Sequence, residues 1–254
     1  MLDYDTEAPR YDDTRGGVER ASAAADALAG LLPPGQVRTV LDVAGGTGLV
    51  AAQLAGRGYD VVVCDRSAGM LALAAGRCPD RTLRGDATRL PVTDGGVDAV
   101  VVVWLLHLLP SAAHVGAVVA EAARVLRPGG LLVSTVDKDA GYPPDTDAER
   151  LLASYVRPEG PAATDASEHV GELAHEAGLT MCAEAAFVGH GQGRVPAALA
   201  HGLESDERRW GGRVDPSRRH ALIDDLRALA EPNRARTPPT YRLVAWQKMG
   251  SARG

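Results

Sequence analysis

The sequence predicts an α/β fold with a doubly wound parallel sheet, and three patterns support this prediction. Short apolar runs alternate with helical patterns between residues 18 and 136, which is typical of strands joined by crossover helices. The apolar run at 40–43 ends in a glycine-rich turn that opens into a helix. The run at 97–105 is continuously apolar, as expected of a strand buried on both faces.

Length, charge and cysteine content limit the classes of protein to which the chain can belong. Its 254 residues suit one domain, and 45% hydrophobic residues suffice for a core. A net charge of −6 offers no basic surface, so we expect no nucleic-acid partner. No apolar run approaches a membrane span, and we expect no signal peptide. Three widely spaced cysteines indicate reduced thiols, a cytoplasmic location and no metal site.

The first half of the chain contains most of the predicted sheet. Residues 1–17 are polar and expected to be mobile, and a helix at 18–32 follows, so that 1–36 is predicted as an N-terminal helical cap. We place strands, in chain order, at about 38–44, 59–65, 81–84, 97–105 and 131–136. Helices are predicted at 48–57, 67–76 and 111–126, and Ser67 is expected to cap the second of these.

Two irregular segments, 138–164 and 190–239, interrupt this alternation in the second half. They contain short helical patterns near 148–155, 196–204 and 216–230. A helix near 167–177 and strands at 179–188 and 241–248 complete the fold. We expect the two irregular segments to be helical lid insertions that select the substrate, within a single domain that spans residues 1–254.

The glycine-rich turn predicts a small-molecule site near residue 45. Glycine permits positive φ and a close approach of the ligand, and the following helix directs its first N–H groups toward the turn. The spacing Gly46-x-Gly48-x-x-Ala51 also fits the dinucleotide fingerprint. An NAD-dependent oxidoreductase therefore remains open from this motif alone.

Three carboxylates favour a small, positively charged nucleoside without a pyrophosphate. Asp42 lies inside the strand before the turn, where it can anchor the loop and approach a cationic ligand. Asp65 ends the second strand, where an acid can accept hydrogen bonds from ribose hydroxyls. Asp86 ends the third strand, where it can accept the amino hydrogens of an adenine.

The motifs taken together resemble those of class I S-adenosylmethionine-dependent methyltransferases. The matching stretches, in family-like order and spacing between 38 and 136, are 40–48, 61–71, 85–91, 98–107 and 124–130. One departure is Ala44, where the family usually has glycine. The resemblance implies a Rossmann-like fold of seven strands in the order 3-2-1-4-5-7-6, the last antiparallel. It implies S-adenosyl-L-methionine as cofactor and S-adenosyl-L-homocysteine as product.

The resemblance also implies which residues bind the cofactor. The glycine-rich turn would hold the methionine part, Asp65 the ribose and Met70 the adenine ring, with Asp86 and Ala87 at the adenine edge. An N-terminal segment around 11–15 resembles an element that folds over the cofactor and pairs with its carboxylate. The full set of expected cofactor-binding residues is Tyr11, Arg15, Asp42, Ala44, Gly45, Gly46, Gly48, Asp65, Arg66, Met70, Asp86, Ala87 and Trp104.

His107 is the candidate catalytic residue. It follows the fourth strand, at the sheet edge where doubly wound folds bind their ligands. A neutral imidazole there can take a proton from a hydroxyl or amine as the methyl group arrives. The alternative is that His107 only packs against a helix or lines the cofactor.

The resemblance implies methyl transfer by in-line displacement, for which the protein mainly provides proximity and exclusion of water. We expect a small organic acceptor in natural product biosynthesis, with oxygen favoured over nitrogen or carbon, and a monomer or homodimer. Two alternatives stay open: an NAD-dependent oxidoreductase, and a cofactor-binding protein of the same fold that does not methylate.

Overall fold

A seven-stranded sheet forms the centre of the protein in a computed structural model that describes residues 4–155, 163–205 and 214–250. The strands lie in the order β3-β2-β1-β4-β5-β7-β6, and only β7 runs antiparallel to its neighbours. This confirms the predicted doubly wound, mostly parallel fold. In chain order the strands are β1 (Thr39–Val43), β2 (Asp60–Asp65), β3 (Thr82–Arg84), β4 (Val97–Val102), β5 (Leu126–Val136), β6 (Leu179–Val188) and β7 (Thr240–Lys248).

Helices cover both faces of this sheet. They are α1 (Tyr4–Thr14), α2 (Gly17–Leu31), α3 (Leu49–Ala55), α4 (Ala68–Arg77), α5 (Ala112–Val125), α6 (Asp147–Tyr155), α7 (Ser167–Glu176), α8 (Pro196–Ser205) and α9 (Arg219–Ala228). Short 3₁₀ helices occupy Leu106–Leu108, Lys138–Gly141 and Pro216–Arg218. As predicted, the Ser67 hydroxyl caps α4 by accepting the N–H of Met70. Within the described ranges, no helix combines the length and apolarity needed to cross a membrane.

The core consists of two apolar layers, one on each face of the sheet. Neighbouring residues of a strand point to opposite faces, so Val40 packs with α2 and α3, whereas Leu41 packs with α5 and α7. Val101 and Val100 of β4 divide in the same way. This double burial explains why the central strands are apolar without interruption.

Residues 4–14 form the helix α1, so the expectation that 1–17 is mobile is wrong for the described part of this segment, whereas residues 1–3 lie outside the described residues. Tertiary contacts hold α1 against α4. Asp5 accepts hydrogen bonds from the Gly69 N–H at 2.8 Å and the Ser67 hydroxyl at 2.5 Å. Asp12 pairs with Arg77 at 2.7 Å. Isolated short polar helices are marginal in water, and these partners lie more than 60 residues away, so no local pattern could reveal the helix.

The fourth and fifth strands differ from their predicted limits. The run 97–105 was expected to be one strand, but β4 ends at Val102, and Trp104 adopts a left-handed conformation with φ of 60°. The Trp104 N–H leaves the ladder and donates to the Thr135 hydroxyl at 2.8 Å. The fifth strand was expected at 131–136, but β5 begins at Leu126, where its pairing with β4 starts before a register shift.

The two predicted lid segments form a third apolar cluster of their own. Leucines of α6, α8 and α9 meet there, among them Leu152, Leu203, Leu222 and Leu226. The helix expected at 216–230 is divided into the 3₁₀ helix Pro216–Arg218 and α9. Residues 156–162 and 206–213 of these segments lie outside the described residues.

Candidate functional site

A cavity of about 270 Å³ lies at the carboxyl ends of β1 to β4, with α1 and α2 forming its remaining walls. Doubly wound sheets bind ligands at this edge. The cavity brings together eleven of the residues expected to bind cofactor: Tyr11, Asp42, Ala44, Gly45, Gly46, Asp65, Arg66, Met70, Asp86, Ala87 and Trp104.

The loop after β1 is built so that its own amides are already satisfied. The N–H of Gly46 donates to the Asp65 carboxylate at 2.9 Å, that of Gly45 to the Cys64 carbonyl at 3.3 Å, and that of Gly48 to the Gly45 carbonyl at 3.0 Å. A pyrophosphate site needs several free N–H groups that converge on the anion. These three glycine amides therefore do not offer the anion site that the dinucleotide reading requires.

Asp42 supplies a buried carboxyl group beneath this loop. Its side chain is 2% exposed, and its Oδ2 has no hydrogen-bond partner within the described part of the chain. Burial, with the charge of Asp65 as a smaller cause, raises the pKa of Asp42 to about 7. A buried carboxyl group is stabilised by a partner that donates or carries positive charge. Asp42 thus fits a cationic ligand such as a sulfonium nucleoside with an amino group.

Asp65 and Asp86 retain capacity to accept hydrogen bonds from a ligand. Asp65 already accepts the N–H groups of Gly46 and Ser67, each at 2.9 Å. Asp86 accepts from the N–H and hydroxyl of Thr88 at 2.8 and 2.6 Å, and these bonds hold its pKa below the usual range. An ionised carboxylate offers about four acceptor positions, so each has some left for hydroxyl or amino groups.

Three predicted site residues do not line the cavity. Arg15 lies over the ring of Tyr11, 5.8 Å from its centroid. Gly48 is the N-cap of α3. A Cβ on Gly48 would stand 3.0 Å from the Cβ of Ala74, so glycine at this position allows α3 and α4 to pack closely. His107 lies in the 3₁₀ helix after β4, and the geometry gives no support for its contact with reacting groups.

Sequence reasoning missed other residues of the cavity wall. Arg20 is the most informative of them, because it is only 9% exposed and occupies the same face of α2 as Ala24, Leu28 and Leu31. An arginine within an apolar helical stripe was a signal that could have been read. The other additions are Tyr4, Asp12, Ala21, Thr47, Leu49, Val50, Gly85, Thr88, Val103, Leu105, Leu108 and Leu109. Among the described residues, no group of three His, Cys, Asp or Glu side chains is arranged to hold a metal ion.

The central part of the chain matches a known protein family. Residues 41–134 match the family described as "Methyltransferase domain". A demethylmenaquinone methyltransferase of Beutenbergia cavernae is 41% identical over 162 residues, which are 61% of this chain and 63% of the relative. A protein of Mycobacterium tuberculosis described as an uncharacterized methyltransferase is 38% identical over 115 residues, 44% of this chain and 46% of the relative. The chain thus spans less than two thirds of the length of these relatives.

Solved structures share the fold at low sequence identity. The [4+2]-cyclase SpnF superimposes with a TM-score of 0.61 at 21% identity, covering 98% of this chain and 95% of the other. Geranyl diphosphate methyltransferase, solved with GPP and sinefungin, gives a TM-score of 0.53 at 17% identity over 90% of this chain and 78% of the other.

Fold, site and comparisons define a class of protein. Residues 41–134 match a methyltransferase domain, and the strand order is the one implied by the resemblance to class I S-adenosylmethionine-dependent methyltransferases, which is thereby confirmed.

Proposed function

We propose that the chain binds S-adenosyl-L-methionine in this cavity and transfers its methyl group to a small organic acceptor by in-line displacement. The observation that carries the proposal is the unpartnered, buried carboxyl group of Asp42 beneath the glycine loop of a methyltransferase domain. A carboxyl group in that place favours a cationic ligand and disfavours a phosphate. The bound cofactor supplies an activated methyl group, so the residues of the chain act mainly by positioning.

The carboxylates at the strand ends orient the ligand. Asp65 ends β2, and Asp86 follows the neighbouring β3, which ends at Arg84 and not at Asp86 as predicted. They would accept hydrogen bonds from ribose hydroxyls and from the adenine amino group, respectively. Met70 is 1% exposed and would pack against the base. Ala44, Gly45 and Gly46 form the loop after β1 in the cavity wall, and glycine there permits a close approach to the methionine part.

The helix α1 excludes water from the reacting groups. Tyr4 and Tyr11 line the cavity from this helix. Asp12 holds it closed through Arg77 at 2.7 Å and the Thr47 hydroxyl at 2.6 Å. A closed, dry site strengthens electrostatic interactions and keeps water from competing for the methyl group.

We propose an oxygen acceptor in a natural product pathway, with a cytoplasmic monomer or homodimer as the working form. A second candidate acceptor is a quinone-type ring, methylated at carbon. It is favoured by the demethylmenaquinone methyltransferases among the relatives and by the apolar wall formed by Leu105, Leu108 and Leu109. The described residues of 138–164 and 190–239 do not line the cavity, so their role in substrate choice remains a proposal.

Calorimetric titration with S-adenosyl-L-homocysteine, with NADH in parallel, tests the cofactor. We expect binding of the thioether, weakened about tenfold or more in Asp65→Asn because a charged acceptor is lost. The matched control is Asp60→Asn at the opposite end of β2, which should bind normally. Binding of NADH without response to S-adenosyl-L-homocysteine would establish the oxidoreductase instead.

The non-methylating alternative needs a separate measurement. The structural match to a cyclase shows that this fold is not limited to proteins named methyltransferases. Labelled S-adenosyl-L-methionine, incubated with phenols, quinols and amines, should yield a labelled product. Cofactor binding without labelled product from any of these classes would favour the alternative.

A further inference from the structure

Besides the carboxylates that are expected to bind the cofactor, the cavity wall contains a buried cation, the guanidinium group of Arg20. The side chain of Arg20 is 9% exposed and lines the cavity, and its Nε has no hydrogen-bond partner within the described ranges. Burial lowers the pKa of Arg20, but a guanidinium stays charged at neutral pH. The groups that act on it most strongly are Tyr11, which also makes a side-chain hydrogen bond with it, Tyr241 and Arg15, and none of these is a carboxylate. Burying a charge without a counter-charge is costly.

A second unpartnered donor lies beside this cation. The guanidinium carbon of Arg20 stands 4.0 Å from the centroid of the Trp104 ring system, a cation–π contact. The indole Nε1 of Trp104 is also buried without a partner among the described residues. Phe187 and Tyr241 pack edge-on against the indole, at 5.6 and 5.9 Å between centroids, and fix its orientation. Two N–H groups, those of Arg20 Nε and Trp104 Nε1, thus lie at one wall of the cavity and can donate hydrogen bonds to a bound ligand.

The strand order separates this wall from the expected cofactor position. Asp42 and Asp65 belong to β1 and β2 and Asp86 follows β3, whereas Trp104 follows β4 and its aromatic neighbours come from β6 and β7. If adenine and ribose lie over β3 and β2 and the methionine part over β1, the region next to Trp104 lies beyond the methyl group. That is where a methyl acceptor must stand for in-line displacement.

We propose that Arg20 and Trp104 form an oxyanion subsite that binds the ionised hydroxyl of an aromatic methyl acceptor. The inference rests on the proposed function and names its acceptor class, a phenol or quinol. The neighbouring apolar residues Leu105, Leu108 and Leu109 suit a flat hydrocarbon ring. The charge of the arginine suits an aryloxide, because guanidinium groups bind oxyanions with directed N–H donors.

At this subsite, stabilisation of the ionised acceptor takes the place of proton removal by a general base. The acceptor hydroxyl releases its proton to water, and the resulting aryloxide is held by the N–H groups of Arg20 and Trp104. A lone pair of that oxygen forms the new bond to the methyl carbon, and the electron pair of the broken carbon–sulfur bond stays on sulfur. Stabilising the ionised acceptor in this way explains why a cavity without a lining histidine, as far as the chain is described, can still methylate a hydroxyl group.

The probe is 4-nitrophenol, whose ionised form absorbs visible light. We would titrate it against the protein, with and without S-adenosyl-L-homocysteine, across about pH 5 to 9. The pKa of the bound phenol should be about one unit lower than that of the free phenol, as expected for a hydroxyl group beside a guanidinium. Arg20→Met, which keeps an unbranched apolar stem on Trp104, should abolish the shift, and Arg20→Lys should restore part of it.

Controls separate a structural effect from loss of the subsite. Arg57→Met removes another arginine that contacts α2, through Asp26 and Ser22, but lies outside the cavity, and it should leave the shift intact. Thermal unfolding shows whether Arg20→Met folds. If it does not, the shift in the wild-type protein and its partial retention in Arg20→Lys still decide the proposal. A probe that fails to bind, or binds with an unshifted pKa, overturns it.

The cofactor is the rival source of an oxyanion, since its amino-acid part carries a carboxylate. Under our proposal, Arg20→Met changes the Kd for S-adenosyl-L-homocysteine by less than about threefold. If Arg20 instead holds the cofactor, this Kd rises about tenfold or more, whereas the Kd for 5′-methylthioadenosine, which lacks the carboxylate, does not change. That pattern overturns the acceptor subsite and leaves the proposed function standing. Absence of S-adenosyl-L-homocysteine binding in the wild type would overturn the proposed function itself, and the probe titration of the free protein would still test the arginine.

Discussion

Gly45 lies directly against the carboxyl group of Asp42: a Cβ on Gly45 would stand 2.7 Å from both the carboxyl carbon and Oδ2. Real Cβ atoms essentially never show such a contact, so a Cβ on Gly45 would displace the buried side chain of Asp42. The glycine therefore fixes the position of the acid that we assign to the cationic ligand.

We expect Gly45→Ala to lower the free energy of unfolding by about 1–3 kcal/mol, because it overpacks a closed site. Binding of S-adenosyl-L-homocysteine should weaken at least about tenfold as Asp42 is displaced. Gly171→Ala is the control. It lies inside α7 with no atom within 4 Å of the new Cβ, and it should be neutral or stabilising. Denaturant unfolding and calorimetry give both quantities, and normal binding by Gly45→Ala would contradict the packing argument.

Asp42 makes stability depend on pH in an unusual direction. Its folded-state pKa of about 7 exceeds the ordinary aspartate pKa of 3.8. Between these two values the folded protein holds a proton that the unfolded chain has lost, so unfolding becomes easier as pH rises. This contribution is fully present below about pH 4 and is lost by about pH 7, at roughly 1.4 kcal/mol per pH unit.

Asp42→Asn removes the titrating group and should remove this dependence. Other carboxyl groups, such as Asp86, have lowered pKa values and act in the opposite direction, so the quantity to measure is the difference between wild type and variant. Urea unfolding from about pH 4 to pH 8 should show that the variant gains stability relative to the wild type as pH rises. A difference that does not vary with pH would show that Asp42 is ionised in the folded protein.

Asp12 is expected to control how fast the cofactor leaves. The Asp12–Arg77 pair is partly exposed and therefore contributes little to overall stability, but it fastens α1 over the cavity. Asp12→Ala should release S-adenosyl-L-homocysteine about threefold to fivefold faster, corresponding to a loss of up to about 1 kcal/mol. Stopped-flow displacement measures this rate. Asp13→Ala, an exposed neighbour on the same helix, is the control, and equal rates for both variants would refute the role of the pair.

Thr135 is expected to hold the strained backbone of Trp104. Its hydroxyl accepts the Trp104 N–H, which has left the β4 ladder. Thr135→Val keeps the shape but leaves that N–H without a partner, at a cost of about 1–3 kcal/mol. The adjacent Ser134→Ala removes a hydroxyl that donates to the Val102 carbonyl, and should cost only about 0.5–1.5 kcal/mol. Equal losses in thermal unfolding would argue against a special role for Thr135.

Local patterns predicted most of the sheet and eleven of the residues that line the cavity. The positions of Asp65 at the end of β2 and of Asp86 just after β3 follow from where apolar runs stop, and the Gly46 turn follows from its composition. His107 was placed at the correct sheet edge, but the 3₁₀ helix that begins at Leu106 keeps it out of the cavity wall. That helix depends on the departure of Trp104 from the ladder, which the apolar run did not reveal.

The sequence by itself determined the fold class, the glycine loop and the acidic strand ends, because periodicity and turn chemistry are properties of neighbouring residues. Tertiary structure alone decided the helix α1, the raised pKa of Asp42 and the contact between Arg20 and Trp104. Each of these depends on burial or on a partner far along the chain. The free energy of a buried charge is set by all the elements that enclose it, and those elements meet only in the folded protein.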